Sequence, residues 1–104
     1  MIENGSIEII TFHQVDNVGE HQVFDGLKVL DVFYKRFNGY GGMHIAKGEK
    51  DQWTLVLFWD SKELERKASA SMMKNDETIQ FKMLVNGKTV VKNVYPCFGV
   101  NKSL

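Results

Sequence analysis

Residues 53–60 read WTLVLFWD, a predicted β-strand that is apolar on both of its faces. Side chains alternate between the two faces of a strand. One face carries Trp53, Leu55, Leu57 and Trp59. The other face carries Thr54, Val56 and Phe58. An antiparallel strand in a small protein usually keeps one face in water, so the fold has to explain what covers each side of this strand.

The composition is that of an ordinary globular protein. The chain has 104 residues, which predicts a single domain over 1–104. Of these residues 43% are hydrophobic and 25% are charged, which argues against disorder. Thirteen basic and thirteen acidic residues cancel. Because nucleic-acid-binding proteins usually carry a basic excess or stripe, no nucleic-acid partner is expected.

The sequence also predicts where the protein resides. No apolar run approaches the roughly 18 residues of a membrane-spanning helix, so no membrane association is expected. The first residues, MIENGSIEII, lack the basic and apolar regions of a secretory signal. Cys97 is the only cysteine, which excludes an intrachain disulfide and fits a reducing compartment. We therefore expect a cytoplasmic protein.

Hydrophobic periodicity and turn residues divide the chain into alternating strands and helices. The predicted strands cover 6–15, 42–47, 53–59 and 88–96. The predicted helices cover 20–37, ended by Asn38-Gly39, and about 61–74, capped by Asp60 or Ser61. The mixed charge runs 47–51 (KGEKD) and 62–67 (KELERK) indicate a solvated turn and a solvated helix face.

Residues 76–85 have two interpretations. Apolar side chains alternate along them, and Asn86-Gly87 is a strong hairpin signal, which together favour an additional strand that turns into the one at 88–96. The alternating residues are Ile79, Phe81, Met83 and Val85. The alternative is that the second helix continues through 76–84. We favour the hairpin.

The order of elements predicts an α+β fold. The series strand, helix, strand, strand, helix, strand suits a ferredoxin-like βαββαβ antiparallel sheet. Right-handed crossovers place both helices on one face. The opposite face would remain apolar, and the simplest cover is the same face of a second copy, giving a homodimer through the sheet face and a dimeric α/β barrel. Strand alternation does not reveal which face the helices cover.

Three stretches resemble a known family, the dimeric α/β-barrel proteins and especially the antibiotic biosynthesis monooxygenase-like domains. They are SIEIITFHQV at 6–15, GYGGMHIAKG at 39–48 and WTLVLFWDSKEL at 53–64. The resemblance implies the ferredoxin-like dimeric fold. It also implies a range of activities, which includes cofactor-free monooxygenases, haem-degrading enzymes and isomerases.

The sequence departs from the haem-degrading branch of this family in its functional residues. The resemblance places its Asn, Trp and ligand His at His13 or Gln14, at Ala68 and near Thr78. Haem needs an axial ligand that the protein positions, so the missing His argues against haem, and we expect no cofactor. Three separate His without Cys partners give no metal-site signature, so no metal is expected either.

Candidate catalytic residues are His13 and His44, because a His transfers protons near neutral pH and these two could meet near a pocket. Each could equally be a partly buried, hydrogen-bonded side chain. Tyr34, Trp59 and Tyr95 could line an aromatic slot for a flat ligand, as in the monooxygenases that this chain resembles, or simply pack in the core.

Three functional hypotheses therefore stay open. The first is a cofactor-free monooxygenase-like enzyme acting on an aromatic or quinone-like small molecule. The second is a non-catalytic dimer that binds a small apolar or aromatic ligand or serves in regulation or stress. The third is an assembly module, which predicts no cavity above the usual lower limit for ligand sites, about 300 Å³.

Overall fold

The protein, described by a computed structural model over residues 5–98, contains four strands and three α-helices in this range. The two ends of the predicted domain 1–104 lie outside the described residues. The strands are β1 (Ser6–Gln14), β2 (Tyr40–Lys47), β3 (Gln52–Trp59) and β4 (Val85–Pro96). The helices are α1 (Glu20–Tyr34), α2 (Lys62–Lys74) and α3 (Ile79–Lys82), with a 3₁₀ turn at Asp76–Thr78. None of these helices is long and apolar enough to cross a membrane.

The strands form one antiparallel sheet in the order β2-β3-β1-β4. Ile9 of β1 lies between Val56 of β3 and Asn93 of β4, which fixes the register of the three strands. Both β1 and β3 are central, because each has a neighbour on either side. This is the strand order of a ferredoxin-like sheet, and the predicted α+β fold is confirmed.

The structure shows which face of β3 the helices cover. Trp53, Leu55, Leu57 and Trp59 are buried beneath them. They pack with Phe12 of β1 and with Val23, Leu27 and Leu30 of α1. We call this side the helix face. The opposite side, which we call the open face, carries Thr54, Val56 and Phe58, all half-buried.

Polar caps and one glycine set the helix boundaries. α2 begins after Ser61, whose hydroxyl accepts a hydrogen bond from the Leu64 N–H (3.1 Å). α1 ends at Tyr34, three residues before the predicted end, and the chain then turns through Gly39 at φ +103°. A Cβ atom at Gly39 would lie 2.7 Å from Leu64 Cδ2, so this close approach of the turn to α2 requires glycine.

The favoured prediction of a strand over 76–85 is wrong, because Asp76–Thr78 form a 3₁₀ turn and Ile79–Lys82 form α3. Asn75 begins this segment, its side chain accepting a hydrogen bond from the Glu77 N–H (2.9 Å). The buried Thr78 hydroxyl donates to the carbonyl oxygen of Met72 (2.7 Å), which folds the segment back against α2. Phe81 then packs edge-to-face on Phe12, with 5.9 Å between the ring centroids. These tertiary contacts outweigh the local alternation.

Asn86-Gly87 consequently forms no hairpin turn. Both residues lie inside β4, where its pairing with β1 shifts register between Thr11 and His13. At this bulge the Thr89 hydroxyl accepts a hydrogen bond from the backbone N–H of His13 (2.8 Å).

Candidate functional site

A cleft of about 460 Å³ lies between the helices and the helix face of the sheet. Its walls are mainly apolar and include the side chains of Ile10, Phe12, Leu30, Tyr34, Met72, Met73, Phe81, Val85 and Val90. Its polar lining includes Glu8, Ser69, Lys82 and Lys92. The volume lies within the range of small-molecule sites and above the limit that the assembly hypothesis predicted.

Glu8 is the buried carboxylate at the floor of this cleft. It projects from the middle of an otherwise apolar face of β1, and it is only 1% exposed. The indole N–H of Trp59 donates to Glu8 Oε1 (2.9 Å). Lys92 Nζ, from β4 on the other side of β1, lies 3.5 Å from Glu8 Oε2. The two strands that flank β1 therefore fix both oxygens of the carboxylate.

A second buried carboxylate, Glu65, approaches the same ammonium group from α2. It is 2% exposed and forms an ion pair with Lys92. The Ser69 hydroxyl, one helical turn further along, donates to Glu65 Oε2 (2.7 Å) and accepts from Lys92 Nζ (3.2 Å). The predicted solvated face for KELERK is thus wrong at Glu65, although its run neighbours Glu63, Arg66 and Lys67 are exposed.

Burial changes the acid–base properties of this group. Loss of solvation raises the pKa of Glu8 above its ordinary value of 4.5, and the charge of Glu65 also raises it. The Lys92 charge and the Trp59 hydrogen bond lower this pKa but do not cancel the effect of burial. Burial, and then the charge of Glu8, raise the pKa of the Tyr34 phenol, which therefore stays protonated. Glu8 is thus a stronger base than an exposed carboxylate.

The predicted histidines lie outside the cleft. His13 and His44 are exposed on the open face, on β1 and β2, which are separated by β3. His13 pairs across the ladder with Gln52, whereas His44 pairs with Val56, four residues further along β3. The structure does not bring the two rings together, and neither lines the cleft.

The three predicted aromatic residues occupy different positions. Tyr34 lines the cleft directly. Trp59 is buried behind it, where it packs edge-to-face against Tyr34 at 5.0 Å between ring centroids and holds Glu8. Tyr95 is opposite Ile7 on the open face and is 49% exposed. Only Tyr34 and Trp59 therefore belong to one site.

The positions that the haem-degrading branch uses offer no ligand here. Ala68 is completely buried in the core, and the Thr78 hydroxyl donates to the Met72 carbonyl oxygen. Within residues 5–98, His, Cys, Asp and Glu side chains form no group of three that could hold a metal ion. The titratable groups that line the cleft are Glu8, Tyr34, Lys82 and Lys92.

Several solved structures share this architecture. SnoaB from Streptomyces nogalater, a cofactor-independent oxygenase, superimposes with a TM-score of 0.74 at 12% identity, over 94% of this chain and 97% of its own. A candidate antibiotic biosynthesis monooxygenase from Nitrosomonas europaea gives 0.72 at 6% identity, over 94% of each chain. This chain has the antibiotic biosynthesis monooxygenase-like fold.

A third similar structure is a dimeric ferredoxin-like protein from an uncultured marine organism. Its TM-score is 0.63 at 19% identity, with 95% of this chain and 92% of that chain covered. No protein-family model matches the chain, and no curated protein matches it. The resemblance stated from the sequence is therefore confirmed at the level of fold, and the function has to be argued from the cleft.

Replacing Glu8 by Gln should make the protein relatively more stable as pH rises. A carboxyl whose pKa is raised in the folded state stabilises the fold below its unfolded pKa, near 4.5, and this contribution is lost as pH rises through the folded pKa. Gln keeps an acceptor for Trp59 but cannot ionise. In urea denaturation, the free energy of unfolding of Glu8→Gln minus that of wild type should therefore increase as pH rises above 4.5, by at most about 1.4 kcal/mol per pH unit.

The matched control is Glu49→Gln, because Glu49 is exposed in the turn between β2 and β3. It measures the effect of the same substitution without burial, so the dependence on pH that is specific to Glu8 is the difference between the two variants. A Glu8→Gln stability that does not rise with pH relative to Glu49→Gln would contradict the account of Glu8.

Proposed function

We propose that this protein is a cofactor-independent monooxygenase-like enzyme whose active site is the cleft on the helix face. The observation that carries the proposal is the Glu8 carboxylate, held at the floor of an apolar cavity by Trp59 and Lys92. Titratable groups whose pKa values are shifted by burial in a cleft are typical of active sites. The fold shared with the oxygenase SnoaB supports the same conclusion.

A cofactor-independent oxygenase uses no bound redox group to activate O₂. Molecular oxygen then has to take its electrons from the substrate, which becomes reactive when a base removes a proton from an activated position. Overall, a CH₂ group, which a phenol or hydroquinone has in its keto tautomer, reacts with O₂ to give a carbonyl group and water. One oxygen atom enters the substrate and the other leaves with the two hydrogens. The protein has to supply a base, a group that offsets the negative charge, and a dry cavity.

The residues of the cleft fit these three tasks. Glu8 accepts the substrate proton, and its raised pKa makes the transfer more favourable. When Glu8 takes the proton, its own charge is neutralised, and the Lys92 ammonium, 3.5 Å from the Glu8 carboxyl, then offsets the negative charge that has moved to the substrate. Trp59 orients Glu8 through the indole hydrogen bond. Tyr34 forms part of the wall against which a ring would pack.

The substrate class follows from the rest of the lining. Rings of Phe12 and Phe81 and the flexible side chains of Met72 and Met73 face the cavity. Met side chains adapt to irregular ligands and pack well against aromatic rings. These residues support an aromatic or quinone-like small molecule with one polar end directed at Glu8.

The variant Glu8→Gln should abolish turnover. We expect a search among hydroquinones and polyphenols, monitored by O₂ uptake, to find a substrate of the wild-type protein. With that substrate, kcat of Glu8→Gln should fall by about 10²- to 10⁴-fold, because the base is gone. KM should change little, since the shape of the cleft is kept.

Histidine variants serve as controls for this measurement. His13→Ala and His44→Ala should retain kcat within a factor of two or so, because neither residue reaches the cleft. Unchanged turnover in Glu8→Gln, or its loss in either histidine variant, would contradict the assignment of the base. A wild-type protein that binds these compounds without consuming O₂ would support the non-catalytic alternative instead.

We also infer that two copies pair through the open face. The apolar side chains on this side of β1, β3 and β4 are Ile7, Ile9, Val56, Phe58, Val91 and Tyr95. Val91 and Tyr95 remain 55% and 49% exposed in the single chain. Continuous apolar surface of this kind usually marks an interface, and the similar marine protein is described as dimeric.

Two neighbouring substitutions on β3 test the pairing. Val56 lies on the open face, whereas Leu57 is completely buried under the helices. Because a buried unpaired carboxylate is very costly, Leu57→Asp should prevent folding. Val56→Asp should leave the circular dichroism spectrum intact and give a species near 11.9 kDa by light scattering, against about twice that mass for wild type. A wild-type monomer at high concentration would contradict the inferred dimer.

The lone thiol bears on location. Cys97 directly follows β4 and is 8% exposed, so it is largely protected from solvent. Its backbone N–H donates to the Gly5 carbonyl oxygen (2.9 Å), which holds the end of β4 against the start of β1. A single buried thiol fits a reducing compartment, and this supports the cytoplasm as the proposed location.

A further inference from the structure

Two ammonium groups, those of Lys82 and Lys92, line the cleft, and both already bind groups of the protein. An ammonium group has three N–H donors. Lys92 Nζ is surrounded by Glu65, Glu8 and the Ser69 hydroxyl. Three groups of the protein therefore lie around this ammonium group, and two of them are buried carboxylates.

Lys82 also forms its hydrogen bonds within the protein. Its Nζ donates to the carbonyl oxygens of Met72 (3.1 Å), Met73 (3.1 Å) and Asn75 (3.0 Å). These are carbonyls at the C-terminal end of α2, where a cation also compensates the negative end of the helix dipole. Each lysine that lines the cleft thus already has three acceptor groups of the protein within 3.5 Å of its Nζ.

The Glu8 carboxylate, in contrast, can accept more hydrogen bonds than it receives from the protein. A carboxylate can accept about four hydrogen bonds, and Glu8 receives one from Trp59 and lies 3.5 Å from Lys92. Its remaining lone pairs can accept from a ligand in the cavity that it lines. Two buried carboxylates, Glu8 and Glu65, therefore share the single ammonium group of Lys92.

We propose that the cleft selects ligands whose polar end is an uncharged hydroxyl or an ammonium group, and that it rejects carboxylates. This inference rests on the proposed use of the cleft as the ligand site. A hydroxyl or ammonium can donate to Glu8, whereas a carboxylate would have to compete with the three acceptor groups of the protein around each lysine. It would also lie next to two buried carboxylates in a poorly solvated cavity, which is unfavourable.

Three naphthalene derivatives with different polar ends test the selectivity by isothermal titration calorimetry at pH 7. They share one flat ring system and are 2-naphthol, 2-naphthylmethylammonium and 2-naphthoate. The wild-type protein should bind the first two at least tenfold more tightly than 2-naphthoate. Equal or tighter binding of 2-naphthoate overturns the proposal, and so does a failure of all three probes to bind.

A variant then assigns the cause of the selectivity. Glu65→Gln removes one negative charge and weakens the hold on Lys92, so the preference against 2-naphthoate should shrink severalfold. Glu49→Gln, in the exposed turn, should leave the preference unchanged. A preference that is the same in Glu65→Gln and in wild type would overturn the charge explanation. Thermal unfolding of Glu65→Gln confirms that the variant is folded before it is titrated.

These measurements separate the selectivity from the proposed reaction. They record binding and need no turnover. A protein that prefers 2-naphthol to 2-naphthoate but oxidises no quinol would keep this inference and refute the oxygenase. A protein that oxidises quinols and binds 2-naphthoate as tightly as 2-naphthol would refute this inference alone.

Discussion

Glu8 is a carboxylate buried between the sheet and the helices, so other groups of the protein have to bind it, and several elements of the structure contribute to this. Burying an ionised group without partners is far more costly than the net stability of a small domain allows. The partners of Glu8 come from two other elements, Trp59 from β3 and Lys92 from β4, and Lys92 in turn binds Glu65 and Ser69 of α2. The polar group therefore links the middle of the sheet to the second helix. On α2 the fully buried residues are Glu65 and Ala68, and Leu64 and Met72 are partly buried against the core, so the ion pair with Lys92 adds to an apolar contact.

Most of the fold could be predicted from the sequence because local signals and tertiary packing agree. Alternation in β3 and β1, the helical spacing of α1 and the Ser61 cap each indicate the element that forms. Alternation could not show which face of β3 the helices cover, since both faces are apolar. It also misled at 79–85, where Ile79 and Met83 are exposed while Phe81 packs in the core. Hydrogen bonds of the Asn75 and Thr78 side chains turn this segment back on α2, and the apolar pattern alone does not indicate them.

The candidate site was harder to predict, because its residues looked like surface residues. Glu65 stands in a charged run, and only its spacing from Ala68 and Met72, three and seven residues on, could have placed it on the buried side of α2. Glu8 was the better signal, since it shares a strand face with Ile10 and Phe12. Lys92 gives no comparable signal, because its position depends on the β1–β4 register. Histidine was the predicted base because its ordinary pKa lies near neutral pH. In this fold burial raises the pKa of a carboxyl group, Glu8.

The central claim is that Glu8 is a buried titratable group with a raised pKa, and the two indole N–H groups report on it most directly. Trp59 donates to Glu8, whereas Trp53 donates to the neutral side chain of Gln14 (2.9 Å). A ¹H–¹⁵N titration of the wild-type protein should show the Trp59 indole signal moving with a midpoint above 4.5, while the Trp53 signal stays nearly constant. A Trp59 signal that does not titrate, or that titrates at or below 4.5, would contradict the account.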